Sequence, residues 1–158
     1  MQIGSPAPDF TLPDQDGALV SLSDRKGKWT VLYFYPKDNT PGCTLEAMEF
    51  TARLEKFHAA GAEVFGVSRD SEKTHCGFAQ RHSLTVRLLS DPERAAHQAF
   101  GAWGMKKMYG RELEGAIRST FLIAPDLTIA AVWPTVKAVG HAQEVLHRLV
   151  ELKTKKGT

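Results

Sequence analysis

The sequence predicts an α/β domain: a central mixed sheet flanked by helices, with a β extension at the N-terminus. Three observations carry this. "WTVLYFY" (29–35) and "AEVFGVS" (62–68) are unbroken β-branched and aromatic runs of strand length, as in strands buried on both faces beneath helices. Between such runs lie segments whose apolar residues recur at helical spacing. Late in the chain "IRSTFLIA" and "TIAAVW" are parted only by "PDL", which reads as a hairpin and adds antiparallel strands.

The elements follow in order. "ALVSLSD" (18–24) alternates apolar and polar residues over its second half, as a half-buried strand does. Residues 29–35 are the first buried strand. From Pro41 to about Ala60, Ala47, Phe50, Leu54 and Phe57 recur at spacings of three and four, and Gly61 closes the helix. Residues 62–68 are the second buried strand. Asp70 or Ser71 caps a helix reaching about His82. "VRLLS" (86–90) is a short strand, "PERAAHQAFG" a short helix ending in glycine, and "GMKKMYGRELEG" (104–115) reads as a loop. The hairpin and an amphipathic helix, "GHAQEVLHRLVELK", complete the chain. The order β, β, α, β, α, β, α, β, β, α describes a thioredoxin-like arrangement with an N-terminal extension.

The totals bound the function. A chain of 158 residues, 42% hydrophobic and 24% charged, fits one domain over residues 1–158 and excludes a disordered chain. A net charge of +2 with scattered Lys and Arg gives no nucleic-acid footprint. Lys153, Lys155 and Lys156 form the one basic cluster and read as a solvated, frayed tail. "MQIGSPAPDF" has neither a basic start nor an apolar run, so no secretory signal is expected, and no stretch has membrane-spanning length. Two cysteines make no disulfide scaffold at this size. A reducing cytoplasm is the expected setting, where a cysteine pair serves catalysis or redox sensing.

Cys43 is the candidate nucleophile. In "TPGC" Thr40 suits an N-cap and Pro41 the first helical position, so Cys43 falls in the first turn. Free N–H groups and the positive end of the helix dipole stabilise a thiolate there. The preceding strand delivers this turn to the carboxyl edge of the sheet, where α/β folds place ligands. Glu46 and Glu49 oppose a nearby thiolate, so a cation is needed, and Arg118, just before a strand, is a candidate. Read instead as a small buried hydrophobe, Cys43 stands against its own Pro-Gly turn, a surface feature.

"PKDNTPGC" matches the Pro-x-x-x-Thr-x-x-Cys signature of the peroxiredoxins, and "YPKDNTPGCTLEAMEF" resembles their Q-type, bacterioferritin comigratory branch. "APDFTLPDQDG", "VSRDSEKTHCGFAQRHSLTVRLLSD", "RSTFLIAPD" and "WPTVKAVGHAQEVL" resemble further family segments in the right order, over nearly the whole chain. The resemblance implies a thiol peroxidase acting on hydrogen peroxide or alkyl hydroperoxides, with thioredoxin or a similar thiol as reductant. It implies Cys43 as peroxidatic cysteine, Thr40 hydrogen-bonding thiolate and peroxide, Arg118 stabilising the thiolate and the leaving oxygen, and Pro36 shielding the thiolate. It implies no metal, haem or flavin, and a monomer or weak dimer.

The chain departs from the family at the resolving cysteine. Five residues after Cys43 stands Met48, and four after His75 stands Ala79. Cys76 is three residues before Ala79, a helical neighbour, and is expected to present its sulfur to roughly the same side and to resolve Cys43. The alternatives are a one-cysteine peroxidase, in which Cys76 is a buried helix residue, and a thiol–disulfide oxidoreductase, which lacks its Cys-x-x-Cys here. A non-catalytic module on the same fold is a third, opposed by the joint presence of Pro36, Thr40, Cys43 and Arg118. His75 and His82 share a helical face without an evident third metal ligand and read as exposed or capping. Trp103 and Trp133 read as core residues, with a place on the pocket wall as the alternative.

Overall fold

The structure is a computed structural model describing residues 1–108 and 110–155. The chain opens with β1 (Thr11–Pro13) and β2 (Leu19–Ser21), paired antiparallel as a separate ribbon, and a 3-10 turn at Leu22–Arg25. β3 (Trp29–Phe34) leads through a loop into α1 (Pro41–Ala52) and α2 (Leu54–Ala59). Then come β4 (Ala62–Ser68), α3 (Glu72–His82), β5 (Arg87–Ser90) and α4 (Ala95–Ala99). The last part holds β6 (Trp103–Met108), β7 (Arg111–Ala116), β8 (Ser119–Ile123), β9 (Ile129–Trp133) and α5 (His141–Lys155).

The central sheet has the order β5-β4-β3-β8-β9, with β3, β4 and β5 parallel and β8 and β9 antiparallel to their neighbours. This is the mixed, helix-covered sheet that the two unbroken runs and the late hairpin predict. All six residues of β3 are buried. Period-two alternation divides them. Val31 and Tyr33 pack with Phe50, Phe57, Phe78 and Leu149, drawn from α1, α2, α3 and α5. Leu32 and Phe34 pack on the other face with Phe65, Phe121, Ala96 and Phe100, beneath α4 and the N-terminal segment. Gly66 sits opposite Tyr33 in β4. A Cβ there would stand 2.6 Å from the Tyr33 ring, so the glycine gives the phenol room to lie across the strand.

Four expectations are corrected. Residues 104–108 and 111–115 are not loop but most of the β6–β7 ribbon, which stands outside the central sheet and has largely exposed β7 residues. With little apolar surface to bury, it shows no hydrophobic period. The helix from Pro41 breaks at Arg53 (φ −108°, ψ 6°), whose guanidinium donates to Glu49 O and Gln143 Oε1. Of residues 18–24 only 19–21 are strand, and in the β1–β2 ribbon. The basic tail is not frayed through Lys155: α5 includes Lys153 and Lys155, and Lys153 donates to Ala60 O. Lys156 lies outside the described residues. Among the described residues no helix is long and apolar enough to cross a membrane.

Candidate active site

The loop after β3 turns sharply into α1. Asn39 takes a left-handed conformation (φ 65°), and Thr40 is extended (φ −88°, ψ 152°) with Pro41 opening the helix. Cys43 lies in the first turn as predicted, but its side chain is 1% exposed, so the Pro-Gly turn does not leave the sulfur at the surface. β8 runs antiparallel beside β3, with Ser119 opposite Phe34. The preceding residue, Arg118, is thereby delivered to the carboxyl end of β3, where its Nη2 donates to Cys43 Sγ at 3.2 Å. Gly42 is part of that fit: a Cβ on it would stand 3.1 Å from the same nitrogen.

The other arm of the guanidinium, Nη1, donates to Glu46 Oε1 at 2.7 Å. Glu46 is fully buried, and among the described residues its Oε2 has no partner. Burial lifts its carboxyl to about 7, against the pull of Arg118. Burial would ease the Arg118 proton off, but Glu46 and Cys43 outweigh it and hold the guanidinium protonated more firmly than usual. The two directions agree physically: the cation is permanent, and Glu46 and Cys43 compete for it. From sequence, Glu46 favours the helix and opposes the thiolate; spacing does not reveal that its carboxylate reaches the arginine.

Tyr33 enters the same field. Its hydroxyl is buried without a hydrogen-bond partner among the described residues, and its ring stacks on Phe50 at 4.5 Å. Burial first, then the charge of Glu46 and of Cys43, push its proton affinity well above the ordinary phenol range. Sequence reading did not single it out; the only signal was Gly66 inside a strand.

Thr40 sits at the N-cap but does not cap with its side chain. Its Oγ1 donates to Lys37 O at 2.8 Å, which uses its single proton and leaves its lone pairs to accept. A pocket of about 490 Å³ adjoins this turn, lined by Pro36, Lys37, Thr40, Arg69, Trp103 and Lys106 among others. Trp103 takes the alternative place the sequence offered, on the pocket wall rather than in the core, with the guanidinium groups of Arg69 and Arg94 5.2 and 4.8 Å from its ring. Trp133 does pack against the core, beside His141. Lys106 Nζ donates to Ala116 O at 2.7 Å. Burial, then the Arg118 cation, ease its proton off, while Cys43 pulls the other way. Lys106 is thus a second cation in reach of the thiol's field, missed because it lies in the segment read as a loop.

Cys76 is a half-buried residue of α3, and both cysteines are free and beyond disulfide reach of each other. Cys76 lines a shallow pocket with Gln15, Asp16 and Gly17, and Gln80 Nε2 donates to its sulfur at 3.6 Å. Ala79 instead packs into the main core. The expectation that Cys76 presents its sulfur to the side of Ala79 is therefore corrected: three residues along a helix bring a rotation of about 60°, enough at this boundary to separate core from surface. Met48, at the family's other resolving position, is 47% exposed.

His75 is not exposed, as the sequence suggested, but fully buried, with Nδ1 2.6 Å from Asp38 Oδ2 and Nε2 3.0 Å from Leu89 O. Asp38, Asp70 and His75 bring ligand atoms within 4.8 Å of one another. These atoms bond to each other, to Tyr35 and to Ser68, so the cluster is internally satisfied. His82 stands apart, edge-on to Phe78.

The family model for AhpC/TSA matches residues 3–132, most of the chain. The chain belongs to the AhpC/TSA family. It is a peroxiredoxin of the Q-type, or Bcp, branch, an enzyme of the thiol peroxidase class. It is 44% identical to peroxiredoxin Bcp of Bacillus subtilis over 155 residues, covering 98% of this chain and 99% of that one. With peroxiredoxin Bcp of Escherichia coli it shares 38% over 151 residues, 96% and 97% of the two chains. Among solved structures, the Xanthomonas campestris bacterioferritin comigratory protein, studied for alkyl peroxide reduction, superposes with a TM-score of 0.88 at 40% identity, covering 95% of this chain and 98% of that one. A cysteine-to-serine variant of Xylella fastidiosa PrxQ superposes at 0.90 with 41% identity, covering 96% of each.

Proposed function

We propose that Cys43 is the peroxidatic cysteine of this peroxiredoxin and that Cys76 resolves it. The observation that carries the first part is the Arg118 Nη2 to Cys43 Sγ contact of 3.2 Å at the first turn of α1. A permanent cation and the free N–H groups of the turn favour a thiolate at a buried position. The thiolate attacks the nearer peroxide oxygen; the O–O bond breaks, the farther oxygen leaves as water or an alcohol by taking the proton of the attacked O–H, and the resulting Cys43 sulfenate takes up a solvent proton to become a sulfenic acid. Arg118 opposes the negative charge that develops as the oxygen leaves. Thr40 accepts a hydrogen bond from the hydroperoxide O–H through a lone pair while still donating to Lys37 O. Pro36, on the pocket beside Thr40, keeps bulk water from the sulfur.

Both hydrogen peroxide and organic hydroperoxides are the substrate class. The 490 Å³ pocket beside Thr40 has space for an organic substituent. The alkyl peroxide reduction activity named for the Xanthomonas relative supports the same reading. Thioredoxin or a similar thiol reductant recycles the enzyme, in the cytoplasm, where thiols are kept reduced. The protein acts as a single domain and as a monomer or weak dimer.

The deciding experiment follows peroxide consumption with thioredoxin, thioredoxin reductase and NADPH in wild type and Cys76→Ser, with intact-mass analysis of peroxide-treated protein. Wild type is expected to cycle and to contain a Cys43–Cys76 disulfide. Cys76→Ser is expected to keep its first turnover and lose most cycling. Equal cycling with no crosslink in wild type would establish a one-cysteine enzyme.

A further inference from the structure

The loop that delivers Cys43 is tied to the helix that carries Cys76 by side chains outside the Arg118–Cys43 contact. His75, adjacent to Cys76, meets Asp38 of the loop at 2.6 Å, with both side chains fully buried. Tyr35 donates its hydroxyl to the other Asp38 oxygen at 2.6 Å. The Asp38 N–H donates to Asp70 Oδ2, just before α3, at 2.9 Å. Arg81, near the end of α3, donates to Asn39 Oδ1 at 3.3 Å. Leu89 O can only accept, so His75 Nε2 carries a hydrogen. At Nδ1 the ring meets the Asp38 carboxylate at 2.6 Å. Both ring nitrogens are thus engaged, and removing either partner leaves a buried polar group unpaired.

This places a strong buried link between two segments that have to move. Cys43 and Cys76 are beyond disulfide reach in the arrangement described, and a disulfide needs Cα atoms within about 7 Å. We propose that the His75–Asp38 pair is a latch that holds the Cys43 loop and α3 in the peroxide-reducing arrangement, and that its opening gates disulfide formation. The proposal rests on the reading of Cys76 as the resolving cysteine. When the latch opens, the Cys76 sulfur bonds to the sulfur of the Cys43 sulfenic acid, the S–O bond breaks, and the hydroxyl leaves as water with the Cys76 thiol proton. While the latch is closed, a second peroxide meets the sulfenic acid first and carries it to sulfinic acid. Latch strength thus sets the ratio of resolution to over-oxidation. His75 and Asp38 act as positioning residues through the loop and helix, without touching the reacting atoms.

The test uses His75→Ala, the milder Tyr35→Phe and the isosteric Asp38→Asn, in which a neutral His75 accepts from the new amide and still donates to Leu89 O. Amide hydrogen exchange over residues 37–44 and 72–80 is read in the reduced protein. The peroxide dose giving half sulfinic acid during cycling is read in parallel. Loss of a bond to a charged group opens such a link roughly tenfold or more. Exchange is expected to rise together in both segments by that factor in His75→Ala and by less in Tyr35→Phe. The half-dose should rise in the same order, and Asp38→Asn should stay within a few-fold of wild type. A fall in melting temperature with exchange rising in one segment alone, or with an unchanged half-dose in a protein that forms the 43–76 disulfide, overturns the latch. If His75→Ala does not fold, Tyr35→Phe decides by the same two readouts. If wild type forms no 43–76 disulfide, the resolving role fails, while the exchange data still decide the link itself.

Discussion

At Arg118 one guanidinium serves two acceptors, Cys43 Sγ at 3.2 Å and Glu46 Oε1 at 2.7 Å. Arg118→Met keeps much of the bulk and removes the charge. One such donor is worth about 2.7–4 kcal/mol in a transition state, so peroxide reduction should slow by roughly 100- to 1,000-fold in a rapid-mixing assay. Retention of the wild-type rate would assign the role to another cation, with Lys106, which feels the charge of Cys43, a candidate. Glu46 and His141 make a second prediction. Glu46 is raised to about 7 by burial, so the fold favours its neutral form, and its contribution to stability falls as pH rises from about 4.5 to 7. His141 is lowered to about 4, by burial first, so its neutral form is favoured too, and its contribution falls as pH drops from about 6.5 to 4. The two are opposite in sign and each on the order of 3 kcal/mol, so wild-type stability should change little from these groups between pH 4.5 and 6.5. Denaturant titrations across that range should show Glu46→Gln gaining stability with rising pH and His141→Gln losing it.

At the scale of elements, the site depends on β3, β4 and β8 lying side by side. Gly66 lets Tyr33 of β3 lie across β4. Gly66→Ala drives a methyl into the ring at 2.6 Å, and neither strand can shift without disturbing its neighbour. Overpacking of this kind costs about 1–3 kcal/mol, which should appear as a lower denaturant midpoint with an unchanged slope. The first turn of α1 is the companion case. Gly42→Ala adds a methyl 3.1 Å from Arg118 Nη2. Because that nitrogen ends a flexible side chain, stability should hardly change, while Cys43 alkylation at fixed pH should slow as the guanidinium is displaced.

On the scale of the whole molecule, the two thiols sit on separate helices and the fold keeps them apart. Closing the loop between positions 43 and 76 should restrain the unfolded chain by about 3–4 kcal/mol on the entropy model. The stability gain of the disulfide form should be smaller, because the segments that unwind to form it lose native contacts, including the Asp38–His75 bond. Thermal melts of oxidised and reduced protein should differ by less than the entropy model gives. A gain equal to the full entropic value would mean the disulfide forms without unwinding.

Strand and helix identity was largely legible in the sequence, because "WTVLYFY" and "AEVFGVS" have only one way to bury both faces, and Ala47, Phe50 and Phe57 repeat at helical spacing. The start of α1 at Thr40 and Pro41 was legible for a local reason, the chemistry of a helix's first turn. The β6–β7 ribbon was not, since strands that bury little apolar surface carry no pattern to read. Nor was the partnership of Arg118 with Glu46, 72 residues apart in sequence, or that of His75 with Asp38. These contacts depend on which strands lie adjacent and how each helix is rotated about its axis. The same rotation sends Ala79 into the core and leaves Cys76 at its edge. Sequence by itself determined the candidate thiol and its helix turn and named a candidate cation; only the tertiary structure decided that this cation reaches the thiol, which acid shares it and which way the second thiol faces, because all three rest on packing between elements distant in the chain.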